Sequence, residues 1–304
     1  MKIAVPDLVS PSYFPAEAAV ELGCFAAQGI KAELELVSPV EKAYEALREG
    51  EVEFVAGSAH SALSAFPRWG GVKLICAQSQ GLYWFLVMRP DIGAKRGDLS
   101  VVKGRRIGAA PWVGMALRRL LIEAGIDPAK DEVTIAPTPG SLEPRVNFGV
   151  AAVRALEAGL VDGFWANGMG AEIAIKKGVG TLVLDARRGD GPKPAFNYTM
   201  ATVAATDRLL SEKPELAEAT VRAIADAQKK LKADVGLAER IGKALFPEEA
   251  GLIVDLIRRD LPYYQAGLTA AFVKGMNQFA RDLGILDTDP PYGAVVAERF
   301  SALW

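Results

Sequence analysis

The sequence predicts an α/β fold in two similar halves followed by a helical region, and three observations carry that expectation. Short apolar runs alternate with amphipathic helical patterns through the first two-thirds of the chain. That is the order of mostly parallel sheets covered on both faces by helices. One helix-to-strand step recurs: Ala46-Leu47-Arg48-Glu49-Gly50-Glu51-Val52-Glu53-Phe54-Val55 is echoed by Ala155-Leu156-Glu157-Ala158-Gly159-Leu160-Val161-Asp162-Gly163-Phe164. Beyond residue 207 the apolar spacing is helical throughout.

The strands are expected at 2–6, 32–37, 52–57, 72–79, 83–88, 105–110, 132–136, 161–166, 181–184 and 197–205. Between them helical spacing covers 15–28, 40–49, 60–68, 114–124, 150–158 and 170–177. Gly50 and Gly159 stand where a helix must stop before the next strand. Leu22-Gly23 with Gln28-Gly29-Ile30, and Leu120-Leu121 with Ala124-Gly125-Ile126, extend the echo upstream. Ser211-Glu212-Lys213-Pro214-Glu215 opens the helical region, with helices expected at 215–232, 235–245, 248–259 and 268–283.

Composition narrows the function classes. The 304 residues are ample for one large or two medium domains without disulfides or metals as staples. With 35 Lys+Arg against 37 Asp+Glu and no basic run, no nucleic-acid or anionic-membrane surface is expected. Cys24 and Cys76 read as buried thiols, and His60 is the single histidine. That set is too small for a Cys/His zinc site, so neither metal nor cofactor is expected. No apolar run reaches the length of a membrane span. No export signal precedes the strand at 2–6, so the chain reads as cytoplasmic if Met1 is its native start. It reads as periplasmic or otherwise extracytoplasmic if a leader has been removed.

The enzymatic templates fail in turn. No GxGxxG follows the first strand and no GxxxxGK[ST] occurs. Gly57-Ser58-Ala59 lacks the second glycine of a nucleophile elbow. Ser58 or Ser61 beside His60 are sequence neighbours, which do not present a nucleophile to its base. The carboxylates are scattered along helices, so no catalytic residue is assigned.

The strand-to-helix loops carry the functional signal. In α/β sheets ligands bind beyond the carboxyl ends of the strands, where helix N-termini offer free N–H groups. Four such loops are apolar, aromatic and rich in small residues: 10–15, 57–61, 110–114 and 165–169. They contribute the candidate ligand-binding residues Ser12, Tyr13, Phe14, Gly57, Ser58, His60, Pro111, Trp112, Val113, Trp165 and Asn167. Trp84 joins them if alternation turns it away from Tyr83 and Phe85, and Asn197 lies where the chain returns between halves. The competing readings are structural. Ser58 and Ser61 suit a helix cap, His60 suits a hydrogen-bonded core position, and Trp112 and Trp165 suit a core plug. Tyr263-Tyr264 reads as packing.

These residues resemble the substrate-binding proteins of ABC importers for sulfonates, taurine, nitrate and thiamine-pyrimidine precursors. Leu22-Gly23-Cys24-Phe25-Ala26-Ala27-Gln28-Gly29-Ile30 is similar to that family's first helix. Asp98-Leu99 with Lys103-Gly104-Arg105-Arg106-Ile107-Gly108 is similar to the segment opening its second lobe, and Leu283-Gly284-Ile285-Leu286-Asp287 to its closing turn. The resemblance implies a two-lobed type II periplasmic-binding fold, with lobe I at 1–88 plus 199–304 and lobe II at 89–198. It implies chain crossings near 88–90 and 196–200, and a ligand cleft on which the lobes close. The implied partners are an ABC permease and its ATPase, with the binding protein itself a monomer. The cysteine cluster of eukaryotic thiamine-pyrimidine synthases is absent.

The expected ligand follows from the loops. None of the four contains Arg or Lys, so an anion would meet helix N-termini, hydroxyls and His60. Aromatic walls favour a flat ring, since offset stacking adds about 0.5–1.5 kcal/mol per pair. An aromatic acid, aryl sulfonate or pyrimidine is therefore expected over nitrate or taurine. The alternative is an enzyme on the same fold, a decarboxylase, dehydratase or pyrimidine-synthase-like protein acting on a small aromatic acid.

Overall fold

The computed structural model describes residues 1–143, 146–245, 247 and 250–304. Its strands are β1 (Lys2–Val5), β2 (Glu33–Leu36), β3 (Phe54–Ser58), β4 (Val72–Ser79), β5 (Phe85–Met88), β6 (Arg106–Gly108), β7 (Thr134–Ala136), β8 (Gly163–Ala166), β9 (Thr181–Asp185) and β10 (Ala201–Thr206). Each overlaps a span expected from the apolar runs. They form two five-stranded sheets of the same design, β2-β1-β3-β10-β4 and β7-β6-β8-β5-β9.

In each sheet four strands run one way and one inserted strand opposes them. β1 pairs in parallel with β2 and β3, while β10 is antiparallel to β3 and β4. β6 likewise pairs in parallel with β7 and β8, while β5 is antiparallel to β8 and β9. The interior strands β3 and β5 are buried at every residue, and β5 is apolar throughout. β2 lies at an edge and carries exposed Glu33, a charge that discourages further strand pairing.

The two sheets belong to two compact units, 1–81 with 199–304 and 82–198. This corrects the crossing expected near 88–90. β5 lies in the second unit, because Phe85–Met88 find pairing partners in β8 and β9 there. The chain therefore enters the second unit at Gly81–Leu82 and returns at Tyr198–Thr199. The inserted strand of each sheet is thus the one that follows a crossing.

The internal echo is structural as well. Helix Val40–Glu49 leads through Gly50 to β3, and helix Phe148–Glu157 leads through Gly159 to β8. Both glycines have positive φ, 78° and 66°, where an L side chain is strained. β3 and β8 hold equivalent places in their sheets. Helix 40–49 buries Val40, Ala43, Tyr44 and Leu47 on one stripe.

Two helices depart from the expected pattern. The span 15–28 is broken into Phe14–Glu21 and Cys24–Ala27 at Gly23, whose φ is 69°. The span 60–68 is two 3-10 turns, Ala59–Ser64 and Pro67–Trp69, with Arg68 and Trp69 at positive φ. The helical region holds Asp207–Glu212, Pro214–Ala233, Leu237–Leu245, Ala250–Asp260 and Ala270–Asp282. The helix expected from 248 has its first two residues outside the described residues. Among the described residues no helix is long and apolar enough to cross a membrane.

The helical region braces the first sheet through side chains that meet backbone. Gln228 Nε2 donates to the carbonyls of Ala77 and Gln78, at 3.1 and 2.8 Å. The backbone N–H groups of Ala77 and Gln80 donate to Ala266 and Tyr263. The edge of β4 is therefore hydrogen-bonded rather than open.

Candidate functional site

In the first unit the pairing register brings the ends of β3 and β4 together at the start of β10. Ala201, which opens β10, pairs with Ser58 at the end of β3 and with Ser79 at the end of β4. Ser58 and Ser61 share a hydrogen bond of 2.6 Å between their hydroxyls, and Tyr44 donates its hydroxyl to the Ser58 carbonyl at 2.9 Å. Ser10, Ser12, Ser58, Ser61 and Ser79 are all buried. The hydroxyls of Ser10 and Ser79 find no hydrogen-bond partner among the described residues. An unsatisfied buried hydroxyl costs on the order of 1–3 kcal/mol, so its retention is a pointer to a polar occupant.

The loop after β1 is held in shape from three sides. Asp7 Oδ1 accepts from the N–H groups of Val9 and Ser10, at 3.0 and 2.6 Å. The N–H of Tyr13 donates to the carbonyl of Ser10. Tyr264 donates its hydroxyl to the carbonyl of Pro11 at 2.5 Å. Tyr264 thus has a positioning role beyond the packing expected from sequence. Helix 14–21 follows, with Pro15 in its first turn fixing the backbone at low entropic cost.

The other residues of this unit take structural places. Phe14 is fully buried in the helix, and Tyr13 nearly so. Gly57 faces helix 40–49, where an added Cβ would lie 3.1 Å from Val55 Cγ1 and 3.6 Å from Tyr44 Cε2. The absence of a side chain thus lets β3 pack closely on helix 40–49. His60 is fully buried, edge-on to Phe279 at 5.5 Å, and its backbone N–H donates to Thr199 Oγ1.

In the second unit Phe85 of β5 pairs with Ala166 and with Asp185, so the carboxyl ends of β8 and β9 meet the start of β5. Tyr83, Trp84 and Trp165 cluster there, with ring centroids 4.9 Å apart for Tyr83–Trp84 and 6.4 Å for Trp84–Trp165. Trp165 is fully buried and its indole N–H donates to the Val113 carbonyl at 3.1 Å. Its place is the core of this unit, the plug reading weighed above. Trp112 and Val113 are half-buried in the first turn of helix Pro111–Glu123, and Pro111 is exposed. Asn167 caps helix Gly168–Lys176, its Oδ1 accepting from Gly170 N at 3.0 Å. Asn197 is half-buried at the end of a 3-10 turn, beside the return crossing.

Sequence reasoning missed Arg187. It lies two residues beyond β9, is 3% exposed, and holds its guanidinium 5.7 Å from the Tyr83 ring centroid. Arg188 beside it pairs with Asp185 at 2.8 Å. Thr138, after β7, is also buried, and its hydroxyl has no hydrogen-bond partner among the described residues. The rule that singled out the four loops applies equally to the ends of β4, β7 and β9. The ends of β7 and β9 lack the aromatic residues that marked the four loops.

Titration singles out one group near these loops. Glu17 is fully buried in helix 14–21, and burial pushes its carboxyl well above the ordinary value, with Asp7 and Glu21 adding to the shift. The two thiols are inert by environment, since burial raises both Cys24 and Cys76.

Comparison with solved structures places this geometry. A protein from Bordetella bronchiseptica RB50 superposes with a TM-score of 0.76 over 99% of this chain and 95% of its own, at 20% identity. The fold is that of the two-lobed periplasmic-binding proteins. The alkanesulfonate-binding protein SsuA of Xanthomonas axonopodis pv. citri, bound to MOPS, gives 0.72 over 97% of both chains at 14% identity. A mutant of the desulfurization enzyme DszB in complex with biphenyl-2-sulfinic acid gives 0.68 over 99% and 98% at 17% identity. No family model matches the sequence. No curated protein matches it either.

Proposed function

We propose that this chain is the solute-binding component of an ABC importer and captures a small organic anion with an aromatic or heteroaromatic body. The observation that carries the reading is the pair of buried hydroxyls of Ser10 and Ser79 in the first unit, without partners among the described residues, with Ser79 across Ala201 from Ser58. Neutral donors at strand ends suit an anionic head without fixing a protein charge against it. In the second unit the aromatic residues Trp84 and Trp112 and the cation of Arg187 suit an aromatic anion.

The similarity to a sulfonate-binding protein and to an enzyme with a bound aryl sulfinate supports an oxyanion attached to an organic group. The permease, the ATPase and an extracytoplasmic site of action enter with the same reading. The likeness to DszB, at 17% identity, does not favour the enzyme alternative. The two cysteines, Cys24 and Cys76, are held as thiols by burial and oppose it.

The test is a thermal-shift screen of aryl sulfonates, aromatic carboxylates, pyrimidines, taurine and nitrate, followed by titration calorimetry. A ligand at 100 times its Kd stabilises by about 2.7 kcal/mol, a clear shift. Binding of an aromatic anion without turnover supports the reading. Tight binding of nitrate or taurine with no response to aromatic anions overturns the ligand class, and turnover overturns the binding role.

A further inference from the structure

Glu17 has no task in the site as described, yet its setting is unusual. It is fully buried, and neither carboxyl oxygen has a hydrogen-bond partner among the described residues. It is the fourth residue of helix 14–21, and helix geometry tilts its side chain back over the turn at Tyr13 and Phe14. That turn belongs to the loop whose Ser10 hydroxyl also lacks a partner. Two unsatisfied buried groups therefore sit at one loop–helix junction.

Among the described residues no cation compensates it. The groups acting on Glu17 are Asp7, on the same loop, and Glu21, one turn further along its own helix, both acidic. The elements packed against helix 14–21 are helices 24–27, 214–233 and 237–245 with β2 and β4. None of their charged groups acts on Glu17, and several are engaged elsewhere, Arg222 with Glu218 on helix 214–233 among them. On helix 214–233, Lys230 donates to Cys24 of helix 24–27 at 3.5 Å, and Asp226 acts on that same thiol. On helix 237–245, Lys243 pairs with Glu239 at 2.6 Å, and Arg240 does not act on Glu17. On β4, Lys73 donates to the Gly293 carbonyl at 2.5 Å, and Cys76 is a buried thiol. On β2, Glu35 pairs with Lys2 at 3.1 Å and Glu33 with Lys31 at 3.4 Å. An ionised Glu17 would be a buried, unpaired charge, the costliest state a side chain can take.

We propose that Glu17 is a proton-binding site that gates anion capture: neutral, it leaves the loop at 10–14 receptive to an anionic head, and ionised, it repels one. The coupling is electrostatic. A negative charge in the first turns of helix 14–21 offsets the positive end of its dipole, the feature that favours an anion there. Release of ligand by rising pH follows, with the proton leaving Glu17 as the anion leaves the loop. The coupling rests on the functional reading above, whereas the proton site does not.

The experiment has two arms. In the first, carbon NMR follows the glutamate side-chain carboxyls of the protein through a pH titration, with and without Glu17→Gln. One resonance that keeps its proton to higher pH than the other glutamates and is missing from the variant is expected. If all glutamate carboxyls of the wild type titrate together in the ordinary range, the proton site is overturned. In the second arm, benzenesulfonate and its neutral counterpart benzenesulfonamide are titrated across the pH range in which that resonance titrates. Benzenesulfonate is expected to weaken about tenfold or more in the wild type as Glu17 ionises, and to hold its affinity in Glu17→Gln. The sulfonamide is expected to show no such difference between the two proteins. Glu17→Met, apolar and of similar length, repeats both arms if the glutamine variant fails to fold. Equal pH dependence in wild type and variant overturns the gate. If benzenesulfonate binds neither protein at any pH, the functional reading falls and takes the gate with it, while the first arm still decides the proton site.

Discussion

The hydroxyl of Tyr264 reaches the carbonyl of Pro11 across 2.5 Å, joining the C-terminal helical region to the loop that leads into helix 14–21. Both partners are buried, so this bond sets the height of the Ser10–Phe14 loop against the sheet edge. Tyr264→Phe removes the donor and leaves a buried carbonyl unmet. A stability loss of about 1–3 kcal/mol is expected. Affinity for an aromatic anion is expected to fall as well. Chemical denaturation and calorimetry check the two parts separately.

Ser79→Ala separates binding from folding. The Ser79 hydroxyl has no partner among the described residues, so its removal relieves an unsatisfied group rather than breaking a bond. Folding stability is expected to hold or rise slightly, while ligand affinity falls by about tenfold, the loss of one hydrogen bond to a charged head. Equal affinity in wild type and variant would falsify the placing of the anion at this edge.

Trp112 and Trp165 should part company. Trp165 is fully buried with its N–H engaged, so Trp165→Ala is expected to cost about 3–5 kcal/mol of stability. Trp112 is half-buried, so Trp112→Ala should leave the melting temperature nearly unchanged and weaken ligand binding. Melting curves with and without ligand distinguish the two.

The pH dependence of stability reports on Glu17. Its folded-state carboxyl is raised above the ordinary value of 4.5, so the folded protein holds a proton that the unfolded chain releases. Below that value both states are protonated and wild type and Glu17→Gln should be equally stable. As pH rises through it, the wild type should lose about 1.4 kcal/mol per pH unit relative to the variant. The loss stops when Glu17 ionises in the folded state. Denaturant midpoints measured from acid to alkaline pH check the sign and the window.

Arg187 is a buried cation just beyond β9 in the second unit. Arg187→Gln should weaken binding of an aromatic anion and flatten its salt dependence, because the lost interaction is coulombic. Calorimetry at low and high ionic strength reads both.

Much of the architecture was legible in the chain itself. Apolar runs marked the buried strands because a strand covered on both faces carries few polar side chains, as in Phe85-Leu86-Val87-Met88 of β5. Gly50 and Gly159 marked the helix stops because each takes a left-handed conformation that other residues resist. The rule that ligands gather beyond strand ends pointed to Ser58 and its neighbours from the order of elements alone.

Only the tertiary structure decided which sheet β5 joins, since antiparallel insertion depends on partners over 70 residues away in the chain, Gly163–Ala166 and Thr181–Asp185. It alone separated Trp165, committed to Val113, from half-buried Trp112, because burial is a property of neighbours and not of residue type. It also revealed Arg187 and Glu17. A single Arg after a strand or a single Glu in a helix looks like solvated surface until the packing around it removes the water. The alternation of short elements that announced an α/β chain thus sufficed for the strands and helix stops, while the electrostatics of the site belonged to the fold.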